Sequence, residues 1–521
     1  MHIVVERRPE GISLTDDSGH QTLVSEGDFS RAVAVREAGP ERPRWVWSDT
    51  AKWYPALLAA GVRIERCHDL RLVDGLLCGI AGQVSEHEWG SAPRPALADT
   101  LFDFVAAPDA VTGLVIGELW AQQRAAIAAH PAPLQLAVLV AAESAGALAA
   151  AEMQHAGVPW SADAHDALLT EALGPRPALG QRPAHLEALA AQFDALLGVG
   201  RVAIDSPPEL VKALRRAGLE VSSTRSSELG RVDHPAIEPL LRYKTLSRLH
   251  SSNGWHWLEE WVRHGRFRPT FIPGGVVTGR WASAGGGALQ LPRQVRSAVQ
   301  ADEGWRLVVA DAAQLEPRIL AALSGDAAMA QAGAGADLYA GIVSSGAVAT
   351  REQAKLGMLG AMYGATRGVS AQILPRLARS FPDALGFVER AARAGERGER
   401  VQTRLGRTSP WPTERVGDEG AQGRFTRNFV VQGTAAEWAL AWLAGVRNRL
   451  WNAAAGTLTE QPHLVFFVHD ELVVHAPLGR VSEVEQALHD AAADAARVVF
   501  GGTSVTFPVT VASVQRYSDA K

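Results

Sequence analysis

Two apolar, β-prone runs at 464–468 and 472–475 are separated by His469-Asp470-Glu471. That pattern predicts a tight β-hairpin with acids at its tip. Carboxylates in a buried sheet are costly without a partner, and a metal cation is a fitting one. A second apolar run, 306–310, leads into Asp311. Two strand-end aspartates brought into one sheet would form a site for two divalent cations.

A chain of 521 residues is too long for one core, so two to four domains are expected. Hydrophobic content of 47% with 21% charged residues suits a globular protein. The two cysteines, Cys67 and Cys78, cannot build a disulfide framework and fit a reducing compartment. The first ten residues carry no apolar signal segment. The longest apolar helix candidate, 134–151, contains Gln135, Glu143 and Ser144 and reads as too short and polar for a membrane span. Net charge is −5, yet residues 351–430 carry 14 Lys and Arg against 8 Asp and Glu. A basic segment in an acidic chain fits a polyanion site, and equally a solvated helical face.

Residues 1–125 read as a small α/β unit with strands at 2–5, 21–24 and 45–47 and helices at 54–60 and 110–129. His130-Pro131-Ala132-Pro133 ends it. Residues 134–255 are mostly helical, with breaks at 174–183 and 205–208. Strand and loop follow at 265–310, helix at 314–400, loop at 401–425 and helix at 428–450. The hairpin then precedes a helix at 482–500 and a strand tail.

Three further segments carry chemistry. Asp311-Ala-Ala-Gln314-Leu-Glu316-Pro-Arg318 leaves a strand and opens a helix, so Asp311 can hold a metal and Glu316 can face the same cavity. Taken alone, an N-cap aspartate and a first-turn acid is the commoner arrangement. Arg351, Lys355, Leu359 and Tyr363 recur every four residues, which keeps them on one broad helical face. Two cations and an aromatic there could grip a triphosphate and stack on a base, or simply lie in solvent and core. Arg424, Asn428 and Gln432 repeat the period, and amides in such a row can read minor-groove acceptors.

On these residues the chain resembles the family A DNA polymerases of the bacterial DNA polymerase I type. The three polymerase motifs occur in order: Asp311-Ala-Ala-Gln-Leu-Glu-Pro-Arg, then Arg351…Lys355…Tyr363-Gly364, then His469-Asp470-Glu471. Thr278-Gly279-Arg280 and Arg424…Asn428…Gln432-Gly-Thr-Ala-Ala support them. The resemblance runs from about residue 131 to the end. It implies an α/β multi-domain fold: a small exonuclease-like (RNase H-like) α/β domain at 1–125, then a right-hand polymerase. The thumb and start of the palm would be 131–255, the palm 256–326 and 428–521, and the fingers 327–427. It further implies a DNA-directed DNA polymerase of repair or replication that adds dNTPs to a primer 3′-hydroxyl.

The site residues follow by resemblance. Asp311, the Ala312 carbonyl and Asp470 would hold two Mg²⁺, with Mn²⁺ able to substitute. Arg351 and Lys355 would bind the phosphates, with Lys355 as general acid for pyrophosphate. Glu316 would block a ribose 2′-hydroxyl. Gln314, Leu359 and Tyr363 would complete the dNTP site, with Tyr363 near the templating base. Arg280, Gln432 and His469 would contact the primer-terminal region, Thr278 would bind DNA, and Arg424 and Asn428 would touch primer–template. Glu471 would be a supporting catalytic acid. A monomer with primer–template DNA and dNTPs as partners, cytoplasmic at the nucleoid and without a membrane, completes the expectation.

Departures from the pattern are Ala312-Ala313 for Tyr-Ser, Leu359 for an aromatic and Tyr339 for a histidine. The linker after Pro292 is also short, which leaves Gln290 loosely aligned. In the amino-terminal unit, residues 1–48 lack the Asp-x-Glu that two-metal exonuclease chemistry begins with. Trp53 falls where a metal-binding aspartate belongs, Val105 replaces a tyrosine, Asp109 could match the last aspartate, and Asp69 stands as an isolated acid. Proofreading is therefore expected to be lost, and the family's 5′-nuclease domain to be absent. The alternatives are a bifunctional exonuclease/polymerase, a non-catalytic primer–template binder, and a phage-type RNA polymerase, against which Glu316 argues.

Overall fold

The structure is a computed structural model that describes residues 1–87, 89, 115–287, 291–365, 367–412, 419–452 and 456–520. Gln290, Val105 and Asp109 lie outside the described residues. Contacts divide the chain into two compact units, one of Met1–Gly157, Thr270–Ala284 and Asp302–Val514, the other of Val158–Pro269, Gly285–Ala301 and Gln515–Lys521.

The first unit begins with β1 (His2–Arg8), β2 (Gly11–Asp16), β3 (Gln21–Val24), α1 (Phe29–Glu37), β4 (Arg44–Trp47), α2 (Thr50–Ala59), β5 (Arg66–Asp69) and α3 (Leu70–Ala81). After residues outside the description come α4 (Ile116–Ala129) and α5 (Pro133–Ala156). The sheet order is β3-β2-β1-β4-β5. β1, β2 and β3 are antiparallel, and β1, β4 and β5 run parallel. Alternation in β1 buries Ile3 and Val5 against Trp45, Trp47, Trp53 and Tyr54. Asp49, two residues beyond β4, and Asp69, the last residue of β5, cap α2 and α3 through the Ala51 and Leu72 amides. β2, α1, β5 and α3 were not expected from the sequence; β2, α1 and β5 are short, whereas α3 runs for 12 residues and buries one face.

Asp69 is not isolated. Its buried carboxylate accepts from the Thr50 amide, and burial together with the neighbouring Asp49 charge raises its pKa. Helix α5 is longer than the sequence suggested, with 24 residues, and it and the helical span Gly420–Arg449 both have the length and apolarity to cross a membrane. Both are mostly buried inside the protein instead.

The second unit holds β6 (Val158–Pro159), α6 (Ala162–Leu173), α7 (Ala184–Leu197), α8 (Pro207–Arg216), α9 (Ser226–Leu229), α10 (Ile237–Asn253), α11 (Trp255–Trp261), β7 (Val262–Arg263) and β8 (Arg266–Phe267). Its strands order β6-β8-β7. Trp160, His165, Trp257 and Phe267 pack ring against ring at 5.0–5.6 Å.

The first unit resumes with β9 (Thr270–Ile272), β10 (Ala282–Ala284), β11 (Trp305–Ala312), α12 (Leu315–Ser324), α13 (Ala327–Ala332), α14 (Leu338–Ser344), α15 (Arg351–Tyr363), α16 (Gly368–Ser380), α17 (Pro382–Glu396) and α18 (Glu419–Arg449). The hairpin strands β12 (His463–Val468) and β13 (Glu471–Pro477), then α19 (Val481–Phe500) and β14 (Val509–Val514), complete it. Helix α18 starts at Glu419, inside the stretch expected as loop. An antiparallel sheet ordered β12-β13-β11-β14 carries the site. The first unit joins the amino-terminal sheet, α5 and the later sheet with its helices, while the second takes Val158–Pro269, Gly285–Ala301 and Gln515–Lys521.

Candidate active site

Val468 pairs with Glu471, so His469 and Asp470 alone form the hairpin turn. His469 takes φ 56°, where glycine is the easy choice, so the turn is held under local strain. β13 lies against β11 with Asp311 opposite Glu471. The Ala312 amide donates to the Asp470 carbonyl at 2.9 Å. Both expected aspartates thus stand at adjacent strand ends, each half-buried. Asp311 is a strand residue; the α12 N-cap is Gln314, itself left-handed at φ 52°. Glu471 is buried within β13.

Oxygen donors at strand ends suit a hard divalent cation. Among the described residues, no group of three or more His, Cys, Asp or Glu forms a metal cluster. A two-carboxylate set fits Mg²⁺, which keeps several waters and accepts substrate phosphates.

Beside the turn lies a cavity of about 150 Å³, lined among others by Arg280, Gln314, Glu316, Tyr339, Leu359, His469 and Asp470. The structure joins two residues that the sequence treated separately: Arg280 donates to Glu316 at 2.5 Å. The Tyr363 hydroxyl reaches the other Glu316 oxygen at 3.5 Å. Enclosure, and then the Arg280 charge, lower the His469 pKa. Burial, then Glu316, push Tyr339 up to about 12, so its phenol stays neutral.

On α15, Arg351, Lys355 and Tyr363 are exposed and Leu359 is half-buried, while Ala354, Met358, Ala361 and Met362 face the core. The four-residue face therefore exists. Arg351 pairs with Asp337 at 2.7 Å. Asp337 also caps α14 and accepts from the Gln314 amide at 2.9 Å. The Gln314 oxygen in turn accepts from the Leu338 amide, so both ends of that side chain are engaged within the protein. Gly364 ends α15 at φ 72°, and a Cβ there would stand 2.8 Å from the Arg424 stem. Arg424 is exposed on α18, with Asn428 and Gln432 half-buried along the same helix. Thr278 is buried.

Sequence reasoning missed three positions. Asp337 ties α14, α15 and the α12 N-cap together, and only its place before a helix hinted at this. Arg318 is fully buried and donates to the carbonyls of Ala313, Gly333, Gly335, Ala336 and Thr506. It splints the loop ahead of α14 rather than meeting a ligand. Arg407, treated below, gave no signal beyond its charge.

A strained acidic turn, a second strand-end aspartate and a cation-bearing helix thus stand together beside one cavity. The family model for DNA polymerase family A matches residues 180–519. DNA polymerase I of Chloroflexus aurantiacus is 28% identical over 324 residues, covering 56% of this chain and 33% of that protein. The thermostable DNA polymerase I of Thermus aquaticus is 29% identical over 300 residues, covering 52% and 35%. The fold is similar to the polymerase domain of Pol1 from M. smegmatis, solved with DNA primer-template and dNTP, at a TM-score of 0.73 and 20% identity. That likeness covers 100% of this chain and 96% of the other. The chain belongs to the family A DNA polymerases. Its match spans about a third of the length of these DNA polymerase I relatives.

Proposed function

We propose that this chain is a template-directed DNA polymerase that extends a primer 3′-hydroxyl with dNTPs and releases pyrophosphate. The observation that carries the reading is the joining of Asp311 and Asp470 through β11 and the hairpin turn, beside the cavity that Arg280 and Glu316 line. Asp311 and Asp470, with the Ala312 carbonyl, would hold two Mg²⁺, which when bound polarise the phosphate and lower the pKa of the attacking hydroxyl. Lys355, exposed and without an ion pair among the described residues, binds phosphate and protonates the leaving pyrophosphate. Arg351 exchanges Asp337 for the triphosphate. The pair is exposed to solvent, which screens it, so the exchange is easy. Glu316 occupies the place of a ribose 2′-hydroxyl, with Gln314, Leu359 and Tyr363 around the nucleotide. Thr278, Arg280, Gln432 and His469 lie along the primer end, and Arg424 and Asn428 along the duplex. Glu471 supports the turn.

In this reading Val158–Pro269 supplies the thumb, the β12-β13-β11-β14 sheet the palm, and α13 to α17 the fingers. The β3-β2-β1-β4-β5 sheet is an RNase H-like remnant of a 3′–5′ exonuclease. Its loss of activity is supported by Trp53, buried in the core and bonded to Ser48 where a metal-binding acid would stand. The protein would act as a monomer in the cytoplasm, at the nucleoid.

Primer extension with Mg²⁺ tests the reading. The parent protein extends with dNTPs, and Asp311→Ala or Asp470→Ala lowers the rate at least ~1000-fold, which corresponds to about 4 kcal/mol of barrier. Undiminished extension by both variants removes the site assignment.

A further inference from the structure

Behind the cavity lies a buried polar cluster that no ligand-facing role explains. Arg407, in the loop between α17 and α18, forms an ion pair with Glu143 of α5. Glu437 of α18 accepts from the Thr403 hydroxyl and from the Leu405 amide, the latter at 2.9 Å. Glu143 and Glu437 are 2% and 1% exposed. The loop closes on itself: the Thr403 amide donates to the Arg407 carbonyl at 2.9 Å, and the Thr403 hydroxyl lies 3.3 Å from the same oxygen.

The other face of the Arg407 guanidinium lies on Gly279. A Cβ at Gly279, which has φ 83°, would stand 2.6 Å from Arg407 Nε. Gly279 is the centre of the turn that presents Arg280, closed by Gly279 N–H to Val276 O at 2.8 Å and Val276 N–H to Arg280 O at 3.1 Å. A Cβ at Gly433 would meet Thr403 at 2.4 Å and the Thr278 carbonyl at 3.4 Å, so the loop and the turn also meet over α18.

We propose that Arg407 is a positioning residue: clamped by Glu143 and the Glu437–Thr403 loop, its flat guanidinium sets the Thr278–Gly279–Arg280 turn and thereby holds Arg280 against Glu316 at the cavity. The idea rests on the polymerase reading for its kinetic consequence, but its structural content stands on the turn alone. Glu437 makes the clamp responsive to protons. Burial dominates and, with the Glu143 charge, outweighs the Thr403 and Leu405 bonds and the Arg407 charge, which lower it, so its pKa is raised to about 7. The charged groups facing it are Arg407 from the loop and Glu143 from α5. When Glu437 is ionised, the Thr403 hydroxyl must donate to it. When Glu437 is protonated, it donates to Thr403, whose own hydrogen is released to the Arg407 carbonyl. One proton thus switches a second bond onto the Arg407 backbone.

The test combines kinetics with amide hydrogen exchange. Arg407→Lys keeps the charge but loses the flat face. It lowers kcat for primer extension about tenfold with Arg280 in place, and less than twofold in an Arg280→Ala background, because both changes act through one group. Equal losses in the two backgrounds overturn the proposal; a parent protein that extends no primer instead removes the polymerase reading. The exchange arm decides independently of activity. Exchange at the Val276 and Gly279 amides speeds up in Arg407→Lys, and in the parent changes with pH near 7 beyond the intrinsic base-catalysed trend. Glu437→Gln removes that transition, and does so even if the lysine variant fails to fold. Parent-like exchange in Arg407→Lys, or a transition that persists in Glu437→Gln, overturns it.

Discussion

The residues of the cavity are set by pairings more than by identity. Glu316 is held by Arg280 on one oxygen and approached by Tyr363 on the other, so its carboxylate is fixed at the wall of the cavity, where the proposed function puts the sugar. Replacing it with alanine opens that space. We expect Glu316→Ala to reduce the preference for dNTPs over rNTPs by ~10-fold or more in competitive extension, and an unchanged ratio removes the gate role. Glu437 carries a pH prediction. Its folded pKa of about 7 lies above the ordinary 4.5, so its contribution to stability is complete below pH 4.5 and lost as pH rises through 7. The parent is expected to lose stability across that window relative to Glu437→Gln, measured by denaturant unfolding at pH 5 and pH 8. Parallel curves would show that Glu437 does not titrate there.

At the scale of elements, α5 and α18 are gripped by one buried ion cluster. Arg447 of α18 donates to Glu152 of α5, joined by Arg63 at 3.0 Å and by the Tyr54 hydroxyl at 2.6 Å. Remaining Arg447 donors close on the Ile64 and Glu65 carbonyls at 2.5 and 2.7 Å. Burial alone would raise Glu152, but Arg447 and Arg63 outweigh it and hold the carboxyl at about 2. Its stabilising share is therefore present above pH 4.5 and lost as pH falls toward 2. Removing one partner strands a buried charge. Arg447→Ala is expected to destabilise by ~3–5 kcal/mol in chemical denaturation, far more than loss of the exposed, solvent-screened Arg397–Glu399 pair. Equal effects would show that the cluster is not an anchor. The periodicity of α5 and α18 was legible in the sequence; the cluster was not, because Glu152 and Arg447 stand 295 residues apart.

Across the whole molecule, the amino-terminal sheet is expected to serve as structure rather than as a nuclease. Asp49 and Asp69 are spent on helix caps, and Asp49 pairs with Arg71 at 3.0 Å. A mismatched primer incubated with Mg²⁺ and no nucleotide should stay intact; 3′ shortening that disappears in Asp49→Asn or Asp69→Asn would restore the bifunctional alternative. Helix α2 supplies Tyr54, the loop from α2 into β5 supplies Arg63 and the Ile64 and Glu65 carbonyls that close on Arg447, and Arg400 donates to the Gly79 and Ile80 carbonyls at the end of α3. What the sequence by itself determined was local: acids at a hairpin tip, an aspartate ending a strand, cations on one face of α15. Those follow from period, turn chemistry and charge within some ten residues of chain. Tertiary structure alone decided that Arg280 meets Glu316 across 36 residues and that Arg407 meets Glu143 across 264. A guanidinium reads the same in sequence whether it faces solvent, splints a loop as Arg318 does, or lies on a glycine as Arg407 does. Only packing fixes which carboxylates and carbonyls surround it, since burying an unpaired charge is too costly to persist.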